Sequence, residues 1–200
     1  MPAALPIEAA APILCAGITT YSPLKHWGVT TGTKVGVVGL GGLGDMAVKI
    51  AIALGAEVTV FTTTQEKIAE AGKLGATGVL ETDKQGMEAV ANSLDFILST
   101  VPEKHNVDPF VAALKRDGTF CAVGALTPMP GYNNMQMVMG RKSIAASANR
   151  TSLVSSASLG AIGATVSRTI WARAGSVEGR PTGIPADRTV AGSIPRLRMT

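Results

Sequence analysis

The sequence predicts an α/β domain built on a doubly wound parallel sheet, with a short N-terminal helical lead-in and an irregular C-terminal tail. Three observations predict it. Short β-branched runs alternate with longer helical patterns from Lys34 onward, which is how βαβ units read in sequence. One of those runs, LDFILST, holds the continuous apolar stretch Phe96-Ile97-Leu98, as a strand covered on both faces of a parallel sheet requires. A glycine-rich stretch, Gly39-x-Gly41-x-x-Gly44, falls where the first strand gives way to a helix.

The elements follow in order. KVGVVG is the first strand, and GLGDMAVKIAIALGA is the helix after it, with Leu43, Met46, Ala47, Ile50, Ala51 and Leu54 forming one buried stripe at helical spacing. EVTVFT is the second strand, QEKIAEAGKLGA a second helix ending near Gly75, and GVLE a short third strand. The helical KQGMEAVANS leads to LDFILST. VDPFVAALKRDG reads as a helix closed by Gly118, and TFCAVG as the strand that follows. A helical segment near NNMQMVMGR precedes a sixth strand, SIAAS. Six strands with intervening helices complete a doubly wound sheet, expected in the order 3-2-1-4-5-6.

With 46% hydrophobic residues over 200 positions, the chain has enough apolar side chains for a core of its own and is not a disordered tail. The apolar start carries Glu8 and prolines at positions 2, 6 and 12 and lacks a basic opening, which argues against a cleaved secretion signal. No apolar run approaches the roughly twenty residues of a membrane span. Two distant cysteines, Cys15 and Cys121, do not form a disulfide framework. The expectation is a cytoplasmic protein without membrane or nucleic-acid partners.

The formal charge of +4 is unevenly placed. Met1 to Ser147 holds 9 Lys, 2 Arg and 12 acidic residues, a net −1, whereas Ala148 to Thr200 holds 7 Arg, no Lys and 2 acids, a net +5. A nucleic-acid site on this tail would show steep salt dependence, and the lone Trp171 is its only aromatic platform. The switch from Lys to Arg coincides with loss of any helical or strand period, and Pro181, Pro185 and Pro195 punctuate the second half. Residues from about Ala148 therefore read as out-of-frame or foreign sequence.

The glycine loop carries the chemistry. Gly39 makes the tight turn, Gly41 lets backbone approach a pyrophosphate, and Gly44 lets the helix pack against the strand. The helix N-terminus adds free N–H groups and partial positive charge. Which dinucleotide binds is decided after the second strand, where an NAD site usually has an acid for the ribose hydroxyls. Here Thr62, Thr63, Thr64 and Lys67 stand instead, and hydroxyls with a cation suit the 2′-phosphate of NADP(H). Glu66 keeps NAD as the alternative, and Thr64 suits a helix cap as well as a phosphate. Asp45 favours the helix dipole and opposes a pyrophosphate.

Four stretches, AAPILCAGITTYSPLKHW, VGVVGLGGLGDMAVK, VTVFTTTQEK and LDFILSTVPEKHNVDPFVAALKRDGTFCAVGA, resemble in order and spacing the cofactor-binding half of the zinc-dependent medium-chain alcohol dehydrogenases. The branch they resemble most is the cinnamyl alcohol dehydrogenase type, which reduces aldehydes with NADPH. The resemblance covers Met1 to about Ser147. It implies a lead-in carried over from the catalytic domain at 1–33, an NADP-binding Rossmann domain at 34–147 and an Arg-rich, poorly ordered tail at 148–200.

The resemblance further implies that Cys15 is one of three protein ligands to a catalytic zinc, a small buried residue being the competing reading. The other ligands and a four-cysteine lobe belong to a domain this sequence lacks, so the chain is expected to be a fragment with little turnover of its own. It places Gly39, Gly41, Gly42, Leu43 and Gly44 at the pyrophosphate, Thr63, Thr64 and Lys67 at the 2′-phosphate, and Thr19, Val101 and Gly124 near the nicotinamide. Asp45 replaces the family's usual histidine, and Ile68 stands where a second basic residue often follows Lys67. His105 sits in a recognisable local pattern and reads as a solvated loop residue. Substrates would be small alcohols or aldehydes, and the family forms homodimers.

Two rival functions follow from the same residues. Tyr21-x-x-x-Lys25 has the spacing of a short-chain dehydrogenase pair, but it precedes the glycine loop, and Pro23 within it argues against a regular helix. A non-catalytic dinucleotide-binding module, or an inactive remnant, needs only the glycine loop and no zinc ligands.

Overall fold

The computed structural model describes residues 12–124, 127–128 and 131–148. A π-helical segment, Ile13–Gly17, runs directly into α1, Ile18–His26. The alternation then follows: β1 Lys34–Val38, α2 Gly42–Ala53, β2 Glu57–Thr62, α3 Gln65–Leu74, β3 Thr77–Leu80, α4 Lys84–Ala89, β4 Leu94–Ser99, α5 Asp108–Ala113, β5 Leu114–Ala122, α6 Asn134–Gly140 and β6 Ser143–Ala146. All neighbouring strands pair in parallel, in the order β3-β2-β1-β4-β5-β6. This is the doubly wound order expected from the sequence. The Arg-rich tail lies outside the described residues from position 149 onward.

Each face of the sheet has its own core. On one face Val35, Val37, Phe96 and Leu98 pack with Ala47, Val48, Ile50 and Ala51 of α2 and with Leu24 of α1. On the other, Val38, Phe61, Ile97 and Phe120 pack with Phe110 and Ala113 of α5. Rings lock both layers: Trp27 stacks on Phe96 at 5.5 Å, and Phe61 meets Phe110 edge-on at 5.3 Å. Burying each such phenylalanine side chain contributes about 1.5–3 kcal/mol. Cys121 lies wholly inside, and burial pushes its thiol up to about 12.

Four details depart from expectation. The buried face of α2 is Gly44, Ala47, Val48, Ile50 and Ala51, while Leu43, Met46 and Leu54 are half-buried at its margins. Pro23 does not interrupt α1. It removes only the bond to the Thr19 carbonyl, and its buried ring packs in the core side of a helix nine residues long. Thr64 occupies the N-cap of α3, but its side chain makes no capping hydrogen bond.

The largest departure is α5, which ends at Ala113 and not at Gly118. Leu114 is extended and fully buried opposite Leu94, and the register then jumps so that Phe96 faces Thr119. Lys115, Arg116, Asp117 and Gly118 thus bulge opposite Asp95 alone, where Lys115 reaches the Asp95 carboxylate at 2.6 Å. Backbone N–H groups of Asn92 and Ser93 take the carbonyls of Ala112 and Ala113 at 3.0 Å, so the helix end is satisfied without another turn.

Candidate functional site

The strand order reverses between β1 and β4, and the site candidates gather outside the carboxyl ends of these strands, where such sheets bind ligands. Gly39 turns the chain with φ +86°, a conformation that favours glycine, while its N–H donates to the Phe61 carbonyl at 2.9 Å. Gly41 then starts α2 in an extended conformation without a capping side chain. The first N–H groups of a twelve-residue helix are therefore available to an anion. Gly41 and Gly42 are exposed, and nothing lies within 4 Å of a Cβ built on either. Gly44 is different: its Cβ would stand 2.0 Å from the Gly39 carbonyl oxygen.

β4 supplies the clamp on this turn. The Thr100 hydroxyl reaches the carbonyls of Val38 at 2.9 Å and Gly39 at 3.2 Å, and the Thr100 N–H also donates to Val38. From β5, Val123 and Gly124 donate to the Ser99 carbonyl at 2.9 and 3.3 Å. A Cβ on Gly124 would stand 2.3 Å from the Thr100 oxygen. Close backbone approach thus requires glycine at both 44 and 124.

One cleft of about 370 Å³ collects Gly39, Gly41, Gly42, Leu43, Gly44, Thr63, Lys67 and Val101 of the sequence-predicted residues. Thr62, Glu81, Thr100 and Pro102 complete much of its wall. Thr64, Thr19, Gly124 and Cys15 are not among its lining residues. Thr64 is exposed beside it, Thr19 is half-buried on α1, and Gly124 backs the wall through Thr100. Sequence reasoning missed Glu81 and Thr100, whose signal was their position one residue past β3 and β4.

Asp45 is not among the residues that line this cleft. Its carboxylate accepts from Lys49 Nζ at 2.6 Å, one turn along α2, and borders a neighbouring hollow with Glu70 and Lys73. The ion pair and the helix dipole both favour the carboxylate where it stands.

The family profile of the zinc-binding dehydrogenases matches residues 42–160. The chain belongs to that family. It is 50% identical over 143 residues to the aldehyde reductase YahK of Escherichia coli, covering 70% of this chain and 41% of that protein. It is 45% identical over 150 residues to a probable cinnamyl alcohol dehydrogenase of Zea mays, covering 74% and 41%. Among solved structures, a cinnamyl alcohol dehydrogenase of Sorghum bicolor matches with TM-score 0.73 and 37% identity over 84% of this chain and 47% of its own. The CAD of Helicobacter pylori, solved with NADP(H), matches with TM-score 0.67 and 37% identity over 84% and 46%. This zinc-binding dehydrogenase chain thus spans under half the length of these relatives.

Zinc does not find a site among the described residues of this chain. A catalytic zinc takes three protein ligands, and among the described residues no three His, Cys, Asp or Glu side chains group to hold a metal. Cys15 sits exposed on the π-helical segment, so it is not a small buried residue. His105 is not a solvated loop residue. It is half-buried, its ring packs edge-on to Phe110 at 5.9 Å, Nδ1 lies 2.8 Å from the Glu103 carbonyl, and Nε2 is buried without a partner. No described helix is long and apolar enough to cross a membrane.

Proposed function

We propose that this chain is the NADP(H)-binding half of a zinc-type alcohol dehydrogenase acting on small alcohols and aldehydes. In the whole protein, hydride would pass between substrate and nicotinamide. The observation that carries the proposal is the composition of the glycine-loop cleft: exposed glycine backbone at a helix N-terminus without a side-chain cap, with Thr63 and Lys67 lining the same cleft. Gly39, Gly41, Gly42, Leu43 and Gly44 hold the pyrophosphate in this reading, and Thr63, Thr64 and Lys67 hold the 2′-phosphate. Val101 borders the nicotinamide end with Thr19 and Gly124. The NADP(H) complex of the Helicobacter pylori relative supports the choice of cofactor.

Two free thiols suit a cytoplasmic setting. The exposed Met135, Val138 and Met139 beside β6 support a homodimer through that edge. Because Cys15 has no described co-ligands, cofactor binding is assigned to this chain and turnover to the whole protein.

Titration of the purified chain with NADPH, followed by nicotinamide fluorescence with NADH as control, tests this. Saturable binding that prefers NADPH is expected. Lys67→Ala should weaken NADPH about tenfold and leave NADH almost unchanged. Binding of neither dinucleotide would overturn the proposal.

A further inference from the structure

Glu81 is the acidic group in the glycine-loop cleft, and the proposed function gives it no role. β2 and β3 run parallel with Thr62 opposite Leu80. The next residues, Thr63 and Glu81, therefore leave neighbouring strands side by side. The Glu81 N–H donates to the Thr62 carbonyl at 2.9 Å, which carries the pairing one step past the end of β3 and anchors Glu81 at the wall. Thr62, Thr63, Lys67 and Glu81 line the same cleft.

The Glu81 side chain makes no hydrogen bond with any described residue. Burial raises its carboxyl above the ordinary range, and the charge of His105 draws it partly back. A half-buried carboxylate without a hydrogen-bond donor acts strongly on whatever charge enters beside it, because less water stands between them.

We propose that Glu81 sets how far this cleft prefers NADP(H) over NAD(H), its carboxylate opposing the 2′-phosphate that Thr63 and Lys67 attract. The inference rests on the dinucleotide reading of the cleft. An acid usually reads the ribose hydroxyls from the end of β2, and β2 here ends in threonines. Glu81 brings a carboxylate to the same wall from the next strand. Toward NAD(H) it is an acceptor for a free ribose hydroxyl, and toward NADP(H) it is a like charge. Attraction by Lys67 and repulsion by Glu81 set selectivity as a difference of affinities.

The test is titration of wild type, Glu81→Gln and Glu81→Ala with NADPH and NADH at about pH 8, where phosphate and carboxyl both carry charge. Both variants are expected to raise the NADPH-to-NADH affinity ratio, by about tenfold for Glu81→Gln. An unchanged Tm, with residual NADH binding by the same variants, reports that the cleft is intact. Wild type that binds neither dinucleotide would overturn the dinucleotide reading and this inference with it. Wild type that binds, with an unchanged ratio in both variants, would overturn the inference alone. Loss of both dinucleotides in both variants would also overturn it, since Glu81 would then support the cleft and not select its occupant.

Discussion

Glycines 42 and 44 lie two residues apart in one turn of helix and answer to different constraints. A Cβ on Gly44 would meet the Gly39 oxygen at 2.0 Å and Thr100 Oγ1 at 3.3 Å. The first of these is backbone in a turn held by Thr100, so it cannot swing aside. Gly44→Ala should therefore cost about 2–3 kcal/mol of stability, as overpacking does. Gly42→Ala meets nothing within 4 Å and should leave the fold as stable as wild type, or better by up to about 1 kcal/mol from helix propensity. Its methyl group would instead enter the glycine-loop cleft, so, on the proposed pyrophosphate site, NADPH binding should weaken. Thermal melts paired with titrations separate the two: equal loss of Tm in both variants would show that the two positions are not distinct.

At the scale of elements, α5 and β5 show where a local pattern stops being informative. VDPFVAALKRDG has helical period to its end, yet the helix stops at Ala113 because Leu114 is pulled into the sheet and Lys115 finds Asp95. Both partners come from β4, some twenty residues earlier, and no window along the chain contains the competition. β1, β2 and β3 were legible because their short β-branched runs each follow closely on a glycine, Gly32, Gly55 and Gly75. The bulge also carries Asp117 in a left-handed conformation, where its carboxylate takes both Nε and Nη2 of Arg141 just before β6. Hydrogen bonds from Arg141, then its charge and that of Arg116, outweigh desolvation and hold the Asp117 carboxyl below the usual range.

A carboxyl lowered on folding adds stability above its unfolded value of about 3.9, and that contribution disappears as pH falls through the folded value. Wild type should therefore melt slightly above Asp117→Asn at about pH 6 and converge with it once pH falls below the lowered folded value, the difference being small for so exposed a pair. Melting curves that coincide at every pH would show that the pair between the β5 bulge and the entry to β6 contributes nothing.

For the whole molecule, the site divides by how its parts reach one another. Gly39 to Gly44 form one continuous stretch, and Thr63 with Lys67 another, so spacing alone could single them out as candidates. Glu81 and Thr100 enter the cleft only because the sheet order sets β3 beside β2 and β4 beside β1. Their roles belong to the topology. The same division bears on turnover. The glycine-loop cleft is lined wholly by residues of the sheet ends and the helices after them, whereas a zinc site would need ligands brought to Cys15, and the chain's remaining Cys and His residues are Cys121, His26 and His105. Cys121 is buried within β5 whereas Cys15 is exposed on the π-helical segment, and among the described residues no three His, Cys, Asp or Glu side chains group together as a catalytic zinc requires. Purified chain supplied with zinc, NADP and a primary alcohol should therefore show no NADPH formation above background, while still binding NADPH in the titration. Zinc-dependent turnover abolished by Cys15→Ser would mean that ligands outside the described residues complete the site, and the assignment of catalysis to a longer protein would fall.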